Sequence, residues 1–180
     1  MKSLDKRNKI IEYSLKLNST NLSPLRSGNI SIRTNEDDKE GYLITPSGKK
    51  YETLKPKDIV FMGLNDEANK NESANKPSSE WRFHRDIYLN KKEAQAIVHA
   101  HSPHATAVSS HGKTIPPFHY MIALAGGEDI KCAEYATFGT EELSRNVINA
   151  LQERSACLMS NHGQVAFGKN LEDAFELAQE

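Results

Sequence analysis

Hydrophobic positions along the chain switch between a helical and an alternating period, and the switches predict the elements. Residues 4–18 set Leu4, Ile10, Ile11, Leu15 and Leu17 among charged side chains, the pattern of an amphipathic helix. Asn18 to Ser27 is a polar loop containing Pro24. After Gly28, the run Asn29-Ile30-Ser31-Ile32-Arg33 alternates as a half-buried strand does, the charged stretch Asn35 to Glu40 turns the chain, and Tyr42 to Thr45 supplies the paired strand. The turn Pro46-Ser47-Gly48 follows, then a short strand from Asp58 to Met62 and a polar surface loop over 65–76. Trp81, His84, Ile87 and Tyr88 recur at helical spacing between Ser79 and Leu89. Ala96 to Ala100 is a short apolar strand, and a small-residue helix runs from Pro103 to Ser110. Pro116-Pro117 breaks the chain before Tyr120 to Ala125. Thr140 reads as an N-cap for a helix carrying Leu143, Val147, Ile148 and Leu151 on one face. Ala156 to Met159 and Gln164 to Phe167 are strands around the turn Asn161-His162-Gly163. Asn170 caps a last helix with Leu171, Ala174, Phe175 and Ala178 as its apolar positions. Helices interspersed with short strands, several of them in hairpins, predict an α/β layered domain with a mixed sheet.

Composition narrows the function classes. A chain of 180 residues is one domain, 1–180, with 37% hydrophobic and 26% charged residues, as in a globular protein. A net charge of -1 argues against a general nucleic-acid binder. No apolar run approaches the roughly 18–20 residues that span a bilayer, and the polar start Met1-Lys2-Ser3-Leu4-Asp5-Lys6-Arg7 is unlike a signal peptide. Cys132 and Cys157 form neither a disulfide framework nor a Cys-rich zinc site; they read as small core residues, and a reducing cytoplasm is the expected compartment.

The sharpest chemical signal is Val98-His99-Ala100-His101 at the end of an apolar strand. Side chains two apart leave a strand on the same face, so both imidazoles reach one point, where they either ligate a metal or sit as partly buried histidines. His162, in the Gly-bounded turn, offers a third ligand. His104 also fits on spacing, but on a following helix it points elsewhere. Pro77-Ser78-Ser79-Glu80 opens a helix with hydroxyls and unpaired N–H groups, either an anion site or a plain N-cap with a first-turn acid. Ser27-Gly28-Asn29 and Thr45-Pro46-Ser47-Gly48 add backbone donors that could converge on a phosphate. Glu80 is the candidate general base if it lies near the metal, and Tyr120 a candidate proton donor against the alternative of a buried aromatic.

In register, Gly28-Asn29-Ile30-Ser31, Thr45-Pro46-Ser47-Gly48, Pro77-Ser78-Ser79-Glu80, His99-Ala100-His101-Ser102-Pro103-His104 and Asn161-His162-Gly163 resemble the class II aldolase/adducin head family. Ser79-Glu80-Trp81-Arg82-Phe83-His84, His119-Tyr120-Met121-Ile122-Ala123 and Tyr135-Ala136-Thr137-Phe138-Gly139-Thr140 narrow the resemblance to the branch that cleaves L-fuculose 1-phosphate. The resemblance implies a three-layer α/β/α domain with a mixed, largely antiparallel sheet. It implies one zinc ion per subunit on His99, His101 and His162, with Glu80 as a displaceable fourth ligand that becomes the acid/base. Phosphate contacts are implied for Gly28, Asn29, Ser47, Gly48, Ser78 and Ser79. Tyr120 is implied as a proton donor to the aldehyde oxygen from a neighbouring subunit, and Phe138 as part of the aldehyde pocket. The implied reaction is reversible cleavage of a ketose 1-phosphate, L-fuculose 1-phosphate or a related deoxyketose phosphate, to dihydroxyacetone phosphate and a short aldehyde such as L-lactaldehyde. The implied assembly is a homotetramer with sites between subunits. The resemblance also implies a segment beyond the last helix, so the expectation is either a fragment or a protein that works without that segment. Two relatives on the same scaffold are alternatives. Pentulose-phosphate 4-epimerases carry Asp where Glu80 stands, and methylthioribulose-phosphate dehydratases fit Trp81-Arg82-Phe83-His84 poorly. A non-catalytic adducin-like oligomerisation module would have eroded metal ligands, and here none is eroded.

Overall fold

The computed structural model describes residues 1–66 and 75–180, so residues 67–74 of the surface loop expected over 65–76 lie outside the described residues. The helices are α1 (Leu4–Ser19), α2 (Trp81–Asn90), α3 (Pro103–Ser109), α4 (Glu141–Ala150) and α5 (Leu171–Gln179). The strands are β1 (Asn29–Glu36), β2 (Lys39–Ile44), β3 (Val60–Gly63), β4 (Ala96–Ala100), β5 (Cys132–Ala133), β6 (Ala156–Met159) and β7 (Gly163–Gly168). Among the described residues these strands form one seven-stranded sheet in the order β3-β2-β1-β4-β7-β6-β5. Every neighbouring pair is antiparallel except β5–β6, so the sheet is mixed and largely antiparallel.

Strand alternation sorts the sheet's two faces into two cores. Ile30, Ile32, Leu43, Ala96, Val98, Ala100 and Ala166 point to one side, against Ile10 and Leu17 of α1 and Leu171, Ala174, Phe175 and Ala178 of α5. Tyr42, Ile44, Met62, Ile97, Val165 and Phe167 point to the other, against Phe83, Ile87 and Tyr88 of α2 and Leu143 and Val147 of α4. The result is a three-layer α/β/α sandwich whose central strand, β4, is wholly buried. Because Ala96, Val98 and Ala100 take the α1/α5 side, His99 projects toward the α2/α4 side.

Most elements match the pattern reading, and the differences have local causes. The β1–β2 hairpin extends to Glu36 and Lys39 because Asp37 and Asp38 both adopt left-handed φ, 49° and 60°, forming a two-residue turn that keeps the strands paired. The buried face of α1 is Arg7, Ile10, Tyr13, Ser14 and Leu17, while Leu4 and Leu15 are exposed. Arg7 is tolerated inside because its Nη2 donates to both Glu36 carboxylate oxygens, at 2.9 and 3.1 Å, and its Nε to the Lys2 carbonyl at 2.9 Å. Tyr51–Thr53, Pro56–Asp58 and Tyr120–Ala125 are short 3₁₀ turns. Thr140 and Asn170 cap α4 and α5 as their sequences predict, accepting from Leu143 N at 3.2 Å and Asp173 N at 2.8 Å. Among the described residues no helix is long and apolar enough to cross a membrane.

Candidate metal centre

β4 ends beside β1 on one flank and β7 on the other, and this register gathers the site. Asn29 stands opposite His99 across β1–β4, while His99 and Ala100 stand opposite Val165 and Gln164 across β4–β7. His162 occupies the turn that enters β7, where Asn161 takes φ 54°, a left-handed conformation that asparagine tolerates. Glu80 precedes α2 at its N-cap position but does not cap it. Its side chain turns inward instead, so the plain reading of a first-turn acid does not hold.

Glu80, His99, His101 and His162 each offer one ligand atom, and these four atoms lie within 4.8 Å of one another. His99 Nε2 is 3.1 Å from Glu80 Oε2 and 2.9 Å from His101 Nε2; His162 Nε2 is 3.1 Å from Glu80 Oε1. The three rings meet edge to face, with centroids 4.8–4.9 Å apart. His99 Nδ1 faces the Gln164 carbonyl at 2.8 Å. A carbonyl only accepts, so Nδ1 carries the hydrogen, and the Nε2 lone pair of the neutral ring faces the cluster.

This donor set fits a divalent cation. Imidazole lone pairs and carboxylate oxygens crowd a volume too small for them to coexist without positive charge. Glu80 Oε1 is buried with no hydrogen-bond partner. Burial opposes ionisation of Glu80, yet the facing His99 and His162 imidazoles hold its carboxyl well below the usual carboxylate range. Burial pushes His99 down, and the Glu80 carboxylate more than reverses this. His101, partly buried and facing His99 and His162, is lowered to about 3. Three nitrogens and one oxygen, with the carboxylate on a separate element, are the ligand types of a zinc site that can open a position to substrate.

The remaining candidates fall into three groups. The Thr45–Gly48 turn is pinned to the Pro77–Ser79 segment by Ser47 N donating to Lys76 O at 3.0 Å and Ser78 N to Thr45 O at 2.9 Å. Among the described residues the N–H groups of Gly48 and Ser79 and the hydroxyls of Ser47 and Ser79 have no partner, while Ser78 Oγ accepts from Glu80 N at 3.3 Å. Gly28 is buried, its carbonyl accepting from Tyr51 OH at 2.5 Å. Asn29 is brought to Glu80 rather than to the turns, its Nδ2 donating to Glu80 Oε2 at 2.9 Å. Tyr120 and Phe138 are 80% and 64% exposed, and within one chain neither forms a hydrogen bond or ring contact with the four ligands. The backbone next to Phe138 does approach the α2 entry: a Cβ on Gly139 would lie 2.8 Å from the Ser79 carbonyl. His104 is exposed on α3, outside the cluster.

Four contributors are not evident in local sequence. Gln164 orients His99 through its backbone carbonyl. Arg26 Nη1 holds the Gly48 carbonyl at 2.9 Å, bringing a guanidinium to the Ser47–Gly48 turn. His84 Nε2 lies 2.5 Å from Asn29 Oδ1, and Ser31 Oγ lies 2.7 Å from His84 Nδ1. The spacing of His84 four residues after Glu80, and of Ser31 two after Asn29, is the only signal that could have paired them.

Comparison with known proteins places the chain in a family. The family model for the class II aldolase and adducin N-terminal domain matches residues 8–180. The chain is 47% identical over 171 residues to the L-fuculose phosphate aldolase of Escherichia coli strain K12, covering 95% of this chain and 76% of that protein. It is 43% identical over 174 residues to the 5-methylthioribulose-1-phosphate/5-deoxyribulose-1-phosphate aldolase of Rhodospirillum rubrum, covering 97% of this chain and 76% of that protein. A solved L-fuculose 1-phosphate aldolase superposes with a TM-score of 0.90 at 39% identity, covering 99% of this chain and 82% of that one. The chain belongs to the class II aldolase and adducin N-terminal domain family.

Proposed function

We propose that this class II aldolase, an aldehyde-lyase, reversibly cleaves L-fuculose 1-phosphate to dihydroxyacetone phosphate and L-lactaldehyde, with a zinc ion held by His99, His101, His162 and Glu80. The observation that carries the reading is the convergence of three imidazoles and one carboxylate beside the paired turns at Ser47–Gly48 and Ser78–Ser79. The sugars named for the relatives, fuculose, deoxyribulose and methylthioribulose phosphates, share the same phosphorylated three-carbon end, which is the part these turns would hold. Bound among the four groups, zinc would supply a Lewis acid that stabilises negative charge on the substrate's carbonyl oxygen.

The chain's own residues supply the rest. The Gly48 and Ser79 N–H groups and the Ser47 and Ser79 hydroxyls donate to the phosphate, with Gly28 and Ser78 shaping the cradle and Asn29 bracing Glu80 beside it. The Arg26 guanidinium places positive charge at its rim. In the direction of synthesis Glu80 Oε1, the oxygen with no hydrogen bond, takes a proton from carbon 3 of dihydroxyacetone phosphate. That carbon bonds to the aldehyde carbon, whose oxygen takes a proton from the Tyr120 hydroxyl of a neighbouring copy. Cleavage is the reverse. The exposure of Phe118, Tyr120, Tyr135 and Phe138 supports a homotetramer in which these rings meet a neighbour's site. The chain works as one domain, and two free cysteines fit a reducing cytoplasm.

The test is release of dihydroxyacetone phosphate by the zinc-loaded protein from L-fuculose 1-phosphate, 5-deoxyribulose 1-phosphate and 5-methylthioribulose 1-phosphate. The reading expects cleavage, fastest with the fuculose ester. No release from any of the three would refute it, and a preference for another would move the substrate but keep the reaction.

A further inference from the structure

Behind Glu80 lies a buried chain of hydrogen bonds whose direction is fixed by elementary bonding rules. Asn29 Nδ2 donates to Glu80 Oε2, so Asn29 presents its carbonyl oxygen, which can only accept, to His84 Nε2 at 2.5 Å. His84 Nε2 therefore carries a hydrogen. Burial keeps this imidazole neutral, with its pKa lowered to about 3. A neutral ring protonated at Nε2 has a bare Nδ1, so Ser31 Oγ, 2.7 Å away, must donate to it. Ser31 Oγ has then spent its hydrogen and accepts from Tyr88 OH at 2.8 Å. Every donor in the series points toward Glu80. The reverse order would turn the Asn29 carbonyl oxygen against the Glu80 carboxylate, which an ionised Glu80 forbids. His84, Ser31, Tyr88 and Asn29 are all at least nine-tenths buried, so water does not compete for these groups.

We propose that His84 is a positioning residue: locked as its Nε2–H tautomer between Ser31 and Asn29, it turns the Asn29 amide toward Glu80 and thereby fixes the carboxylate that shuttles the proton. Oε2 is tethered and Oε1 is left free, which is the asymmetry a carboxylate needs if it is to change partners without losing its place. The positioning role rests on the aldolase reading, whereas the tautomer does not.

Two measurements test this separately. In the imidazole nitrogen NMR spectrum of the metal-free and of the zinc-loaded protein, His84 is expected to show a protonated Nε2 and a bare Nδ1. An Nδ1–H tautomer, or a ring averaging between the two, overturns the proposal even if the protein proves not to be an aldolase. In steady-state cleavage His84→Phe, which keeps the ring volume and loses both bonds, is expected to lower kcat by about 10-fold or more with KM changed by less than about 3-fold. His84→Gln can donate to Asn29 and accept from Ser31, and is expected to recover much of that loss. A folded His84→Phe with normal kcat, or a Gln variant no better than Phe, overturns the positioning role. If His84→Phe does not fold, His84→Gln against the wild type decides: near-normal kcat supports the role and a loss as deep as about 10-fold overturns it. If the wild type cleaves nothing, the aldolase reading fails and the spectrum alone decides the chain's direction.

Discussion

Glu80 uses its two oxygens unequally, and in the proposed mechanism that inequality separates holding from reacting. Oε2 is tied to Asn29 and faces His99; Oε1 faces His162 without a hydrogen bond. Glu80→Gln keeps the shape and one acceptor oxygen but cannot take a proton. It is therefore expected to retain the fold and at least some zinc while losing about 10²- to 10⁴-fold in turnover, read by dihydroxyacetone phosphate release. His101→Ala leaves two imidazoles and one carboxylate, an incomplete shell, and is expected to purify without stoichiometric zinc by metal analysis. At this scale the sequence was informative where residues share one element. The alternation of a strand suffices to put His99 and His101 on one point. Asn29, His84 and Ser31 are different, because their meeting depends on a cross-strand register and the seating of α2. Nothing local distinguishes an Asn that braces a carboxylate from one that binds a phosphate.

At the scale of elements, the site depends on how closely β7 enters beside β4. Gly163 follows the candidate ligand His162, and a Cβ there would collide with the Ala100 carbonyl and come within 3.2 Å of His101 Cα. Gly163→Ala must push the two strands apart at the point where three ligands meet. The expected cost is about 1–3 kcal/mol in denaturant unfolding, together with weaker zinc binding in a chelator competition; an unchanged zinc affinity would show that the turn adjusts without moving His162. Helices with one apolar face were legible, α5 above all, where the four positions its period picks out, Leu171, Ala174, Phe175 and Ala178, are its buried ones. The first helix was less so, because a buried Arg7 paired to Glu36 and a buried Ser14 bonded to the Ile10 carbonyl fill places that periodicity reserves for apolar side chains. The 3₁₀ turns carry no hydrophobic period, which is why pattern alone does not find them.

For the whole molecule, the α2/α4 layer carries histidine inside an apolar core, and this links stability to pH. His84 takes up its proton near pH 3 in the folded protein and near 6.5 when unfolded. Between those values the unfolded chain binds more protons, so His84 contributes stability above about pH 6.5 that is lost as pH falls, by at most about 1.4 kcal/mol per pH unit. His99, raised by Glu80, works with the opposite sign in the metal-free protein. Subtracting the denaturation curves of His84→Gln from those of the wild type isolates the first effect, and the difference is expected to shrink as pH falls from 6.5 to about 4.5. A difference that stays flat would place a charged imidazole in the core. The layered architecture was readable from the order of helices and hairpins. The assembly was not, because exposed aromatics such as Phe118 and Phe138 look the same in a loop that faces water and in one that faces a partner.

The central claim is that four side chains from three parts of the chain hold one divalent ion without which the carbon–carbon bond is not cleaved. Its most direct test measures bound metal and turnover of L-fuculose 1-phosphate together, on the protein as purified, after chelation, and after zinc is restored. The account predicts about one zinc per chain, activity that disappears with the metal, and recovery in proportion to the zinc returned. Full turnover by protein stripped of metal, or a chain that takes up no zinc at all, would contradict it.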